Sequence, residues 1–285
     1  MEKKELRKIT KEELDMIIKK HKRWLVTYRK EGESADLSYV DLSYASLCGM
    51  YLFGANLSGA NLSWTNLSGA TLPYANLQGA DLRYTNLAGA NLTGVNLEGA
   101  DLSYADLTGA DLPCANLSHA DLAFADLSRA NLSGANLKYA YLVGANLTSA
   151  DLKDANLNDA ELTNANLTDA KNFPNIPMAC PDSGSFIGWK HAGNHIVKLE
   201  IPEDAKRSSG TGEKCRCNKA RILAIENDDE TPADVTEVCS DHDKNFIYKV
   251  GETVIVDDFD DNRFNECVPG IHFYMDRDSA VSCGY

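Results

Sequence analysis

The sequence predicts a mainly β protein: a four-sided solenoid, closed at its N-terminal end by a helix and followed by a small α+β domain. Three observations carry this. Leucine recurs at every fifth residue from Leu37 to Leu167, 27 positions without an exception. The unit around it reads Ala-(Asp/Asn)-Leu-x-x, as in Ala55-Asn56-Leu57-Ser58-Gly59. Side chains of one kind also return every 20 residues, as do Tyr44, Trp64, Tyr84, Tyr104 and Phe124.

Residues 1–34 read as a basic amphipathic capping helix. Thr10 with Glu13 has the form of a capping box, and Leu14, Ile17, Ile18, His21 and Leu25 follow at three- and four-residue spacing. Lys11, Lys19, Lys20, Lys22 and Arg23 load the other face. Such a helix also suits a membrane surface or a calmodulin-type partner. The solenoid decides between these readings, because its open end exposes core leucines and strand edges that need covering.

Residues 35–171 form the tube. An α-helix advances about 100° per residue, so leucines at period five would wander around the cylinder. A flat strand sends residues an odd number apart to opposite faces. The chain must therefore turn at every unit and keep each leucine on a common axis. Columns of residues 20 apart set four units per coil. Asp41, Asn61, Asp81, Asp101 and Asp121 make one, continuing to Tyr141 and Glu161; Asn56, Asn76, Asn96, Asn116, Asn136 and Asn156 make another that is purely asparagine. The 27 units give about 6.75 coils and, at ~4.8 Å per coil, a tube roughly 30 Å long. Leucine and the small residue two before it should fill the interior, with the other three positions facing water. Gly49, Gly69, Gly89 and Gly109 suit corners that need positive φ, and they stand on a different column from the aromatics.

The rhythm stops past Asp169. Lys171 and Asn172 replace the acidic residue and leucine, and Pro174, Pro177 and Pro181 follow, so residues 172–184 read as a linker. Residues 185–285 carry strand-like runs at Phe186–Lys190, Ile196–Ile201, Ala220–Glu226, Phe246–Lys249, Thr253–Val256 and Ile271–Met275. A short helix is expected from Asp276 through Ala280 and Val281. This is an α+β domain built mainly on antiparallel strands, long enough to bury its own core.

The formal net charge of −14 is unevenly spread. Residues 1–35 hold 11 Lys/Arg against 7 Asp/Glu, residues 36–171 hold 5 against 14, and residues 172–285 hold 12 against 21. Phosphate contacts need clustered Lys and Arg, so direct binding to nucleic acid or to an anionic membrane is not expected. No apolar run approaches the ~18 residues of a membrane span, and no secretory signal is read. Cytoplasm is the expected compartment, with the eight cysteines as reduced thiols.

On these residues the run from Ala35 to Asp169 resembles the pentapeptide repeat proteins. The resemblance implies a right-handed quadrilateral β-helix. It implies little about activity, since that family ranges from DNA-mimicking topoisomerase inhibitors to proteins with no known role. The C-terminal region is similar to a domain of phage and bacterial pentapeptide repeat proteins to which no activity is attached.

The expected contact surface is the aromatic column Tyr44, Trp64, Tyr84, Tyr104 and Phe124 with the acids Asp41, Asp81, Asp101, Asp121 and Glu161. Rings one coil apart would stack, contributing roughly 0.5–1.5 kcal/mol per pair. A noncatalytic scaffold follows, in which a rigid acidic tube presents surfaces and a C-terminal domain to a protein partner of unknown identity, in an undetermined oligomeric state. The alternative is a DNA mimic that occupies a topoisomerase. B-DNA carries one charge per ~1.7 Å, so a tube of roughly 30 Å would need about 20 of them. Residues 36–171 carry a net of only −9. The uninterrupted repeats also lack the protruding loop of some topoisomerase-protecting relatives.

A further alternative makes the C-terminal domain an enzyme. The stretch from Lys206 to Lys214 has the flavour of a phosphate loop. Glu213 separates Gly212 from Lys214, however, and no Ser or Thr follows, so the Walker pattern is broken. Lys206, Arg207 and Lys214 remain as a basic, flexible loop able to contact an anion. Cys215-x-Cys217 invites zinc together with Cys180, Cys239, Cys267, Cys283, His191, His195, His242 or His272. Structural zinc shows paired Cys-x2–4-Cys knuckles, and this chain has one pair, spaced more tightly. Asp257, Asp258, Asp260, Asp261 and Asn262 resemble half a calcium loop. Counted from Asp258, the glycine position holds Arg263 and the twelfth holds Pro269, which excludes an EF-hand. Gly270-Ile271-His272-Phe273, after Arg263-Phe264-Asn265-Glu266-Cys267, is similar over four residues to a strand of ADP-ribosyltransferase folds. The matching histidine, aromatic and glutamate of that family find no assignment. No catalytic residue, metal or cofactor is expected.

Overall fold

A computed structural model describes residues 5–174, 179–210, 212–260 and 269–283. The chain divides into two compact units, Met1–Ile176 and Pro177–Tyr285.

The first unit opens with strand β1 (Arg7–Lys8) and helix α1 (Lys11–Val26). Thr10 caps α1: its hydroxyl accepts from the Glu13 N–H at 3.2 Å, and the Glu13 carboxylate accepts from the Thr10 N–H at 2.8 Å. Two orphan donors of the first turn are thereby satisfied. Leu14, Ile17, Ile18 and Leu25 are half-buried, His21 is fully buried, and the lysines of the opposite face are exposed. β1 pairs in parallel with β2 (Val40–Asp41) of the opening coil, so the first rung there is not a bare edge.

His21 explains how the helix meets the tube. Its Nδ1 accepts the Ala35 N–H at 3.0 Å, while Nε2 is buried with no hydrogen-bond partner among the described residues. Burial holds its pKa below the ordinary 6.5. The unfolded chain therefore takes up the proton more readily. This contribution to stability is complete above about pH 6.5 and is lost as the pH falls from there towards the lower folded-state pKa. Protonation of Nδ1 would also remove the acceptor for Ala35. Acidification from about pH 7.5 to 5.5 should therefore lower amide protection, taken relative to the intrinsic exchange rate at each pH, at Ala35 and in α1 but not in the central coils. Unchanged protection at Ala35 and α1 across that range would refute this linkage.

From Asp36 to Lys171 parallel bridges join residues 20 apart, for example Asp36 with Asn56 and Asp151 with Lys171. Each unit makes the same bonds: the Leu57 N–H donates to Asn76 O at 2.7 Å and the Asn76 N–H to Ala55 O at 2.9 Å. Between rungs the leucine carbonyl accepts the N–H three residues on, as in Ala60 to Leu57 at 3.1 Å. The second residue after each leucine has φ between 53° and 67°, including the non-glycine positions. This is the pattern of a type II turn, and Pro73 and Pro113 occupy the turn position that proline favours. The inside is dry: Leu37 through Leu162 are at most 4% exposed. Where Thr65 and Thr85 replace the inward alanine, their hydroxyls donate to Leu42 O and Leu62 O. The coil outlasts the leucine rhythm, since Lys171 still bridges to Asp151 and the Asn172 amide donates to its carboxylate at 2.8 Å.

The second unit is built on a seven-stranded antiparallel sheet. Its strands are β3 (Phe186–Ala192), β4 (His195–Ile201), β5 (Arg207–Ser209), β6 (Lys214–Cys217), β7 (Lys219–Glu226), β10 (Thr253–Ile255) and β11 (Ile271–Tyr274). The spatial order is β10-β7-β4-β3-β11-β6-β5. A separate hairpin pairs β8 (Glu237–Cys239) with β9 (Ile247–Lys249), and helix α2 (Arg277–Ser282) follows β11 with Asp276 as its N-cap. The core gathers Val197, Leu199, Ile201, Ile222, Ile271 and Phe273 with the thiols of Cys180, Cys215 and Cys217.

Candidate functional site

The tube carries one surface unlike the rest. Tyr44, Trp64, Tyr84, Tyr104 and Phe124 all sit at the turn position of positive φ, at 56° to 61°. The glycine column of Gly49, Gly69, Gly89 and Gly109 has the same backbone at a different corner, so aromatic and glycine columns differ in side chain and not in conformation. L-residues are disfavoured there, and bulky ones most. The rings stack along the axis with centroids 6.3, 4.4, 5.1 and 5.1 Å apart and interplanar angles of 15° or less. They remain 43–75% exposed. Beyond the last ring stands Gly144, where a Cβ would come within 2.6 Å of Phe124. The rings therefore cover one another's faces and offer their edges to solvent.

The flanking acids have local work as well as charge. Asp41, Asp81, Asp101 and Asp121 each accept the backbone N–H two residues on. That bond makes this position half-buried in most coils, a departure from the expectation that it simply faces water. Asp41 also accepts from the Asn61 amide at 3.0 Å. Arg83 binds Asp81 through two nitrogens at 2.9 and 2.6 Å and lies 3.6 Å from Asp101. Its guanidinium holds the Asp81 carboxyl below the usual carboxylate range. The negative column is thus interrupted at its centre. Glu161 stands apart from the rings and accepts from Thr163 at 3.4 Å.

The all-asparagine column has a different role. Each amide nitrogen donates to the amide oxygen one coil before, from Asn76 to Asn56 through Asn156 to Asn136 at 3.2–3.4 Å, and Asn56 donates to Asp36. A ladder of this kind needs a donor and an acceptor on every rung, which aspartate cannot supply.

In the second unit the segment expected as a basic, flexible loop holds strand β5 and the first residue of β6; the two strands pair with each other, Arg207 standing opposite Cys217. The Arg207 guanidinium donates to the carbonyls of Pro181, Gly184, Pro202, Glu203 and Ala205. Lys206 precedes β5, and Lys214 borders a cavity. Cys215 and Cys217 lie in the apolar core with Cys180; a hydrogen bond with Cys180 that favours the protonated thiol, and burial, raise the Cys215 pKa, and burial pushes Cys217 up to about 12. Among the described residues no three His, Cys, Asp or Glu side chains are grouped to hold a metal. Asp257 and Asp258 follow β10; Asp261, Asn262 and the run Arg263–Cys267 lie outside the described residues. His272 is on β11.

The geometry of stacked five-residue units defines a β-helix-like solenoid. The repeat tract belongs to the pentapeptide repeat family, whose model matches it in overlapping stretches from residue 33 to residue 171. Residues 176–280 match a second model, described as a family of unknown function, DUF5758. Among solved structures, the chain is similar to HetL, a pentapeptide repeat protein involved in heterocyst differentiation regulation in the cyanobacterium Nostoc sp. strain PCC 7120. Identity is 37% over 48% of this chain and 81% of that one, with a TM-score of 0.27. It is also similar to another pentapeptide repeat protein of Nostoc PCC 7120, 45% identical over 33% of this chain and 77% of that one, with a TM-score of 0.26. QnrB1, a plasmid-mediated fluoroquinolone resistance protein, is 21% identical over 47% of this chain and 75% of that one, with a TM-score of 0.42. No curated protein matches the chain significantly. Among the described residues no helix is long and apolar enough to cross a membrane.

Proposed function

We propose that this protein is a noncatalytic interaction scaffold whose contact surface is the aromatic ridge Tyr44, Trp64, Tyr84, Tyr104 and Phe124 with its flanking acids. One observation carries the reading. Five consecutive coils line up stacked, exposed rings at one corner, whereas the other three columns mix glycine with scattered side chains such as Tyr74, His119 and Arg129 on the same left-handed backbone. Stacking at roughly 0.5–1.5 kcal/mol per pair is of the size of the cost of that backbone, about 1–2 kcal/mol per residue. A contiguous row of exposed apolar side chains on one face marks an interaction surface.

The ridge also constrains its partner. Because stacking occupies the ring faces from Trp64 to Phe124, a nucleobase or sugar has no platform there, and a protein surface that packs against ring edges fits better. Four repeats per coil and the family likeness support a right-handed quadrilateral tube over residues 35–171, capped by residues 1–34. Residues 172–184 act as linker to a separate domain, 185–285, and the protein functions in the cytoplasm. A DNA mimic for a topoisomerase is the weaker reading, since Arg83 neutralises the middle of the acidic column.

Replacing Trp64, Tyr84 and Tyr104 together by asparagine tests the proposal, because asparagine tolerates the left-handed corner. The expected result is a melting temperature within a few degrees of the parent, as strain and stacking leave together, and at least about tenfold weaker capture of a partner from lysate of the source organism. Unchanged capture would sink the proposal. Capture that collapses steeply with salt, and regardless of the rings, would favour the mimic.

A further inference from the structure

Within the second unit, β3 and β11 are joined by a single residue pair, Tyr274 with Trp189. Both strands contribute to a cavity of about 790 Å³, lined among others by Lys190, Lys214, His242, His272 and Tyr248. An adjoining recess of about 350 Å³ shares the two lysines and two histidines. These volumes are those of small-molecule sites.

Lys190 is the anomaly. It alternates along β3 with Gly188 and Ala192, both buried, at a position where an apolar side chain is expected. The residue is only 8% exposed, yet it lines both spaces. Among the described residues its ammonium makes no hydrogen bond and no ion pair within 4 Å; the Tyr248 ring lies 5.7 Å from it. Asp241, which attracts it from a distance, is engaged by the Gly193 N–H at 2.7 Å and by His191 at 3.4 Å. Burial drives the Lys190 pKa down, and Lys214 pushes the same way. The stem of Lys190 is buried while its ammonium opens onto the cavity, where a bound anion would give it the close partner that the described side chains do not.

We propose that this cavity binds a small organic oxyanion, with Lys190 as the principal counter-charge and Lys214 beside it. Phe246, Tyr248, Ile255 and Val256 supply an apolar wall for the body of the ligand. Asp243, Asp257 and Asp258 also line the cavity, and their charge selects against polyanions. The ligand is therefore a single carboxylate or phosphate on an aromatic or apolar frame.

Calorimetric titration of the full chain with phenyl phosphate, benzoate and benzyl alcohol separates the possibilities. At least one of the two acids should bind about tenfold or more tightly than the alcohol, and the better acid names the head group. Lys190→Met should weaken that acid by about tenfold or more and leave the alcohol unchanged. If neither acid binds below about 10 mM, or if Lys190→Met binds both as well as the parent, the assignment fails. Should that variant not fold, Lys190→Gln carries the same comparison.

Discussion

Leu102→Ala is expected to destabilise the tube by about 2.7–5 kcal/mol. Leu102 is fully buried, with Leu82 and Leu122 equally buried one coil away on either side. The cost sits at the upper part of the range for such changes because the void cannot close. The Leu102 N–H is bonded to Asp121 O at 2.7 Å and the Asp101 N–H to Ala80 O at 3.0 Å, so the backbone around the site is tied to both neighbouring coils. In a solenoid each unit touches only its neighbours, and the loss should be local. Urea denaturation measures the magnitude, and amide exchange should show reduced protection mainly between residues 82 and 122. Leu167→Ala is the control. Leu167 is partly exposed in the last coil, so about 1 kcal/mol or less is expected. Equal losses at the two sites would contradict a tightly packed interior.

Gly32→Ala is expected to detach α1 from its loop at a cost of about 2–5 kcal/mol, the sum of a left-handed backbone and overpacking. Gly32 has φ of +82°, and an added Cβ would lie 2.3 Å from Lys20 O and 2.7 Å from the Trp24 nitrogen. Both are helix backbone atoms, so no rotamer change relieves the contact. Two surface pairs, Lys20 with Glu33 and Arg23 with Glu31, hold the same loop to α1, but exposed pairs contribute roughly 0–1 kcal/mol each and cannot compensate. The His21 bond to Ala35 should be lost with the contact. Limited proteolysis near residues 27–34 and the fluorescence of Trp24 report the release. A variant that keeps both parental signals would show that the loop re-forms around the methyl group.

Much of the first unit was legible in the sequence because its determinants are local and repeated. Leucine at period five excludes helix and flat strand, and Thr10 with Glu13 marks the start of α1. The aromatic column was visible as a 20-residue recurrence. Its backbone strain was not, because aromatics and glycines at one turn position look like opposite choices until the φ values are seen. The asparagine column was equally visible, but its amide ladder requires rungs at bonding distance. In the second unit β5, β6 and β8 escaped notice. Arg207-Ser208-Ser209 and Lys214-Cys215-Arg216-Cys217 are short and polar, and they become strands through pairing with each other and with β11.

By itself, then, the sequence determined the solenoid, its period and the identity of each column, because every unit repeats the same short-range preference and its neighbours reinforce it. Tertiary structure alone decided the chemistry of the second unit. By sequence Arg207 is an anion contact, and in the fold it clamps five carbonyls, whereas Lys190 gives no signal within Phe186-Ile187-Gly188-Trp189-Lys190. Lys190, Lys214 and His272 come from three strands spread over some 80 residues, and no local pattern encodes their meeting. Their placement around one cavity is a property of the packed sheet, and it exists only once β3, β6 and β11 are side by side.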